Sequence, residues 1–310
     1  MSLVLTDVPI LEAVREFRYI TSGQLARVTG RSAQVIRRAI RKRLRPEGYL
    51  VAIQRNPAEE AAYALGSEGF SFVANELGCP VSHLPFPKPG TNRGFFWRHS
   101  MLINEIRIAF ELATKCNESL IRIERTVPEW ELKPVGKGAA RHHDRFVLSE
   151  RLKGPDGVTY WHRPDCLFLM RPQGEGAQQR VAVFVEADRN TESMKRIRDK
   201  LEAFWLYWYQ QRFVDAFQAV AMRVLFVLDD VTSRQRIKSM QNELRELARR
   251  KDNGPAAEAF RRCFRFARKH DLDETTVLAQ PIWYDADDQP RLFYRPVTQP
   301  SRDSNAEANS

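Results

Sequence analysis

The chain has 310 residues, 43% of them apolar and 28% charged, an ordinary globular composition with room for one large or two ordinary domains. No apolar run reaches the roughly eighteen residues of a membrane span, and Met1 to Asp7 lacks the basic-then-apolar pattern of a secretory leader. The net charge of +10 points to a polyanionic partner, and the four scattered cysteines, Cys79, Cys116, Cys166 and Cys263, suit a reduced, cytoplasmic protein.

Residues 1–78 read as one unit. A short amphipathic helix spans Ile10 to Phe17. A second, from Thr21 to Gly30, has hydroxyls to cap its start and a glycine to end it. A third runs from Ser32 to Leu44, with Val35, Ile36, Ala39, Ile40 and Leu44 as its apolar stripe. A hairpin follows through Gly48–Ile53, a turn at Asn56-Pro57, and Ala61–Leu65, and another helix starts at Gly66. Helix, helix, helix, hairpin is the order of a winged helix-turn-helix. Residues 79–95 are rich in proline and glycine and read as a linker.

Residues 96–298 carry an α/β pattern. A helix is expected over Trp97–Lys115, a strand or two over Ser119–Trp130, and a loop or irregular hairpin over 131–157. Strands follow over Val158–Met170 and Arg180–Asp188, then a helix from Thr191 to about Phe213 and a buried strand over Ala219–Leu228. Amphipathic periodicity predicts helices over Thr232–Lys251 and Pro255–His270, and Val277–Tyr284 with Arg291–Tyr294 offers a last strand or hairpin. The polar tail, 299–310, is expected to be disordered.

Two groups of residues carry chemistry. Between Arg31 and Arg45 lie seven basic residues and no acidic one: Arg31, Arg37, Arg38, Arg41, Lys42, Arg43 and Arg45. A solvated helix face normally mixes signs. A cationic face opposite an apolar stripe is what a helix needs to enter the major groove, with Gln34 as a base reader and Arg55 on the wing as a phosphate contact. The second group is acidic. Glu186 and Asp188 are two apart on a strand and project to one face, and Asp165 joins them if the neighbouring strand pairs. Carboxylates crowded at a sheet end are costly unless a divalent cation neutralises them.

Pro164-Asp165, then the stretch from Phe184 through Glu186-Ala187-Asp188-Arg189 to Glu192, resembles the PD-(D/E)XK nuclease-like fold. With Lys200-Leu201 and the aromatic run Phe204–Tyr209, residues 7 to 230 are more narrowly similar to the replication-relaxation family of plasmid and mobile-element proteins. That family joins an N-terminal winged helix to a nuclease-like domain. The resemblance implies Asp165, Glu186, Asp188 and Lys200 as catalytic residues. It implies Mg2+ or Mn2+ held by Asp165, Glu186 and Asp188, with Glu105 on the first helix of the domain as a further ligand. Asp188 occupies the position where the nuclease motif has its lysine, so Lys200 would have to supply the missing charge, and Arg189 would hold the carboxylates or meet the phosphate.

The expected fold is thus an N-terminal winged helix followed by a nuclease-like α/β domain with extra C-terminal helices. The expected function is metal-dependent cleavage or nicking of double-stranded DNA on a plasmid or mobile element. The alternative is a DNA-binding protein of replication, mobilisation or transcription control whose nuclease fold does not cut. Expected partners are DNA, a second copy through Trp205 and Tyr209, and replication or mobilisation proteins, the last meeting the helices within 232–270. His99 reads as a structural cap and His142-His143 as loop residues. No nucleotide-hydrolysis loop is present.

Overall fold

Local sequence chemistry sets the first helices. In the computed structural model, which describes residues 4–53, 60–81, 84, 96–115, 120–133, 142–173, 179–229, 233–251 and 254–294, α1 spans Val8–Phe17. Thr21 and Gln24 form a reciprocal capping box at the start of α2, Ser22–Thr29, and Gly30 ends it in the left-handed conformation. Ser32 caps α3, Ala33–Ala39, which runs on as a looser π-type turn through Leu44. Strands β1 (Ile20–Thr21), β2 (Leu50–Ile53) and β3 (Ala62–Leu65) form an antiparallel sheet in the order β1-β3-β2. Helix α4, Ser67–Glu76, packs so close to the hairpin that a Cβ at Gly66 or Gly69 would lie 2.2 or 2.3 Å from the Gly48 or Tyr49 carbonyl oxygen. Ile10, Leu11, Val14, Ile36, Ile40 and Leu44 fill the core between these elements. Arg55 and the turn around it, most of the 79–95 linker and the tail lie outside the described residues.

A seven-stranded sheet dominates the rest of the chain. Its strands are β4 (Ile121–Pro128), β7 (Cys166–Pro172), β8 (Val181–Asp188), β9 (Ala221–Leu228), β10 (Phe264–Arg268), β11 (Trp283–Tyr284) and β12 (Pro290–Arg291). They lie in the order β12-β11-β10-β9-β8-β7-β4, with β8, β9 and β10 mutually parallel and the other pairs antiparallel. Because side chains alternate along a strand, Val183 and Val185 face α5 (Phe96–Ala113), where Ile106 and Phe110 meet Phe168 and Trp283. Ala182 and Phe184 face α6 (Met194–Tyr209), with α8 (Ser233–Arg250) and α9 (Pro255–Arg261) beyond it. A separate hairpin, β5 (Glu150–Lys153) with β6 (Thr159–His162), leans on α6.

Four expectations are corrected. The run Val158–Met170 is two strands in two sheets, β6 pairing with β5 and β7 with β4 and β8, and Pro164, which has no N–H to donate to a ladder, lies between them. The helix expected to reach Phe213 stops at Tyr209; Gln211 takes a positive φ and the short α7, Arg212–Phe217, turns away. The helix expected over Pro255–His270 ends at Arg261, and Phe264–Arg268 is a strand pairing with β9. Phe264 and Phe266 alternate with charged or small residues, a period of two that the helical reading missed. Finally, Trp205, expected at a dimer face, is buried against Phe260 of α9; only Tyr209 stays exposed. Among the described residues no helix is long and apolar enough to cross a membrane, and Cys79, Cys166 and Cys263 are free thiols.

Helix α5 belongs to both halves of the protein. Ile108 sits in the N-terminal core. The buried Asn104 donates to the carbonyls of Phe17, at 3.0 Å, and Tyr19. Arg107 lies 4.3 Å over the Phe17 ring and pairs with Glu16. Asn104→Ala is expected to destabilise the protein by about 2 kcal/mol, since it removes two hydrogen bonds from a buried side-chain amide to backbone carbonyls. Thermal unfolding checks this, and a loss below about 0.5 kcal/mol would show that the joint does not depend on Asn104.

Candidate metal centre

Backbone pairing gathers the site. The Asp165 N–H donates to Val185 O at 3.0 Å, and the Glu129 N–H donates to Asp165 O at 3.2 Å. The end of β4, the start of β7 and the end of β8 therefore meet at one end of the sheet's strands. Asp165, buried there, accepts from the Ala187 N–H at 2.8 Å with one oxygen and contacts His99 Nε2 at 3.0 Å with the other. His99 comes from the first turns of α5. His99, Glu129 and Asp165 each offer a ligand atom, all within 4.8 Å of one another, a cluster able to hold a metal ion. Arg163 steadies Glu129 at 2.9 Å.

Lys200 of α6 reaches back over the strand ends. Its Nζ lies 2.6 Å from Glu186 Oε2 and 2.9 Å from Glu192 Oε2. Burial works against the ammonium charge, but Glu186, Asp165 and Glu192 outweigh it and hold Lys200 above the ordinary lysine range. Burial pushes Glu186 up to about 8, opposed by Lys200 and reinforced by the Asp165 charge. The two directions compete for one proton; the 2.6 Å contact favours keeping it on Lys200, with Glu186 ionised but readily protonated. Burial alone would raise Asp165, yet His99, Lys200 and the Ala187 N–H bring it down to about 2. Glu129 is raised by burial and then by the neighbouring Asp165 charge.

The Asp165 carboxylate in turn raises His99 to about 9. The stability this contact contributes is therefore fully present below the ordinary histidine value of 6.5 and is lost as pH rises through 9. An NMR titration of the metal-free protein is expected to place the His99 imidazole near 9. A midpoint at 6.5 would mean the pair does not form.

Two sequence candidates lie elsewhere. Asp188 is committed to Arg236 of α8 and accepts the Asn190 N–H at 2.8 Å. Arg236 also donates to Glu192 O at 2.6 Å. Arg236, rather than Arg189, is thus the arginine that holds a strand-end carboxylate; Arg189 has no ion pair among the described residues. Glu105 is bonded to Arg27 and, at 3.0 Å, to Gln24, both on α2, so it ties the two halves of the chain together rather than joining the cluster. Glu129 and Arg236 escaped the sequence reading. Glu129 follows a strand whose register opposite β7 is a tertiary fact, and Arg236 is one of several basic residues on α8.

The basic helix is half committed to structure. Arg43 forks onto the buried Asp7 at 2.7 and 2.8 Å, and Arg31 donates to Thr6 O. Gln34, Arg37, Arg38, Arg41, Lys42 and Arg45 are exposed, and the five cations among them make no ion pair with the described residues. Val35, expected in the apolar stripe, is 51% exposed beside them. The side chains of His142 and His143 lie outside the described residues.

The family described as replication-relaxation matches residues 11–220, which covers both the basic helix and the acidic centre. Neither a curated protein nor a solved structure matches the chain.

Proposed function

The chain belongs to the replication-relaxation family, and from that premise we propose that it binds double-stranded DNA of a plasmid or mobile element and cuts or nicks it with a divalent cation, in the cytoplasm. In this reading residues 1–78 are a winged helix whose exposed face on α3 enters the major groove, and residues 96–298 are a PD-(D/E)XK nuclease-like domain. The observation that carries it is the convergence of Asp165, Glu186 and Lys200 with His99 and Glu129 at one end of the sheet's strands.

The donor set fits a cation: three ligand atoms within 4.8 Å, two of them carboxylate oxygens. Asp165, Glu129 and His99 would hold it, and Glu186 would join by giving up part of its contact with Lys200. An imidazole among carboxylates suits Mn2+ better than Mg2+. When bound, the cation would polarise the phosphodiester and lower the pKa of water. His99 would have to be neutral to offer a lone pair, so holding the cation would require it to give up its proton. Lys200, kept protonated by its acidic neighbours, would stabilise the charge that develops on the phosphate.

A second reading is favoured by one observation. Asp165 and Glu186 already carry cationic partners, His99 and Lys200, so the centre is charge-compensated without a metal. On that reading the protein binds DNA in replication, mobilisation or transcription control without cutting it.

Purified protein incubated with supercoiled plasmid and Mn2+ or Mg2+ separates the two. The first reading expects nicked or linear product from wild type and none from Asp165→Asn or Glu186→Gln. No product, with gel-shift binding intact, establishes the second. In either case Arg37→Ala with Arg38→Ala and Arg41→Ala is expected to weaken DNA binding. The slope of log affinity against log salt should fall by about 0.9 for each phosphate that the protein no longer neutralises. An unchanged slope would remove α3 from the interface.

A further inference from the structure

Two arginines on the face of the sheet away from Glu186 lack the partner their burial requires. Arg223 lies near the start of β9 and Arg265 near the start of β10. Arg265 pairs in register with Leu225, so Arg223, two residues earlier on the neighbouring strand, is its diagonal neighbour on the same face. Both are half-buried. Arg223 donates to the Phe293 carbonyl and sits 5.5 Å over that ring. Arg265 donates to the carbonyls of Arg262, at 3.0 Å, and Phe264, at 2.7 Å, while its Nε is buried without an acceptor.

Neither guanidinium makes an ion pair among the described residues. Asp285, whose charge reaches Arg265, is itself paired with Arg291 at 2.8 Å and accepts the N–H groups of Asp287 and Gln289, each at 2.9 Å. Burial and the adjacent Arg265 charge lower Arg223 to about 10, a sign of uncompensated positive charge. Carbonyl bonds satisfy some donors but do not cancel charge. Two neighbouring cations withdrawn from water repel each other and lose hydration, and a chain that keeps both has a use for the field between them.

We propose that Arg223 and Arg265 form a phosphate-binding site, separate from the acidic centre. A planar guanidinium fork can offer parallel N–H donors to two oxygens of a tetrahedral anion, and the strand register puts two such groups side by side on one face of the sheet. The phosphate belongs either to the backbone of bound DNA or to free phosphate or a nucleotide. The site stands whether or not the acidic centre cuts DNA.

The test compares wild type with Arg223→Gln and Arg265→Gln. In phosphate-free buffer each variant is expected to melt at or above the wild-type temperature, because one of two repelling charges is gone. This also guards against reading misfolding as loss of a site. The first arm titrates inorganic phosphate against chloride at constant ionic strength, following melting temperature and 31P line width. The second measures the salt dependence of affinity for a short duplex. A phosphate response in wild type that both variants lose, with an unchanged duplex slope, assigns free phosphate or a nucleotide. A duplex slope that falls by about 0.9 per variant assigns a backbone phosphate. Variants that match wild type in both arms overturn the proposal.

Discussion

Asp188→Ala is expected to lower stability by about 3–5 kcal/mol, the usual loss when one partner of a buried ion pair is removed. The side chains of Asp188 and Arg236 are only 3% and 13% exposed. Alanine would strand the guanidinium and also free the Asn190 N–H. Arg236 stitches the start of α8 to the loop before α6 through its bond to the Glu192 carbonyl, so the damage should spread to the segment that positions Lys200. Asp188→Asn keeps the volume and an acceptor, and should cost less, about 1–3 kcal/mol. Denaturant unfolding of the two variants reads the difference, and Mn2+ affinity measured under folding conditions should change little in Asp188→Asn. If Asp188→Ala were as stable as wild type but no longer bound Mn2+, Asp188 would be a ligand and its contact with Arg236 incidental.

On the proposed reading that the acidic centre cuts DNA, Lys200→Met is expected to reduce cleavage by about a hundredfold to a thousandfold, the typical cost of removing one donor from developing negative charge. Duplex affinity should be unchanged, because Lys200 is largely covered. The variant is expected to fold: Glu186 is already pushed up to about 8, so it can take up a proton when its partner is removed and avoid an unpaired buried charge. Methionine keeps most of the unbranched aliphatic stem. Single-turnover cleavage of a labelled duplex, beside a gel shift, makes the measurement. Cleavage at the wild-type rate would reduce Lys200 to a counter-ion for Glu186 and Glu192.

The two experiments bear on one question, why the chain has aspartate where a nuclease motif carries lysine. Geometry answers it in terms of space. The ammonium arrives from α6, one helix later, and lands 2.6 Å from Glu186. The vacated strand position is used to anchor α8. On the proposed nuclease-like reading, Lys200 supplies the positive charge at the acids and Asp188 serves to hold Arg236.

Much of the architecture was legible in the residues because it rests on local chemistry. Thr21, Gln24 and Gly30 mark the ends of α2 by satisfying backbone groups within the same few residues. The short, continuous apolar runs at β7, β8 and β9, rich in β-branched and aromatic residues, mark strands buried on both faces, and the apolar stripes of α5, α6 and α8 follow from helical side-chain direction. Asp165 and Glu186 were identifiable because they sit at the ends of adjoining strands, whereas Lys200 entered through the family resemblance. What failed locally was ambiguous locally: Phe264–Arg268 fits either period over so short a span, and it becomes a strand because the edge of β9 needs a partner for its ladder.

Other assignments depended on which surfaces meet. Glu129 faces Asp165 through strand register; Glu105 meets Arg27 and Gln24 because the N-terminal unit docks on α5; Trp205 is covered because α9 folds back over α6. A carboxylate's role is set by the cation nearest to it, and Coulomb energy falls off over a few ångströms. The residue types and the strand ends that bear charge were therefore determined by the sequence itself. Which acid became a candidate ligand, which a structural anchor and which a joint between the two halves was decided only when long-range packing chose their neighbours.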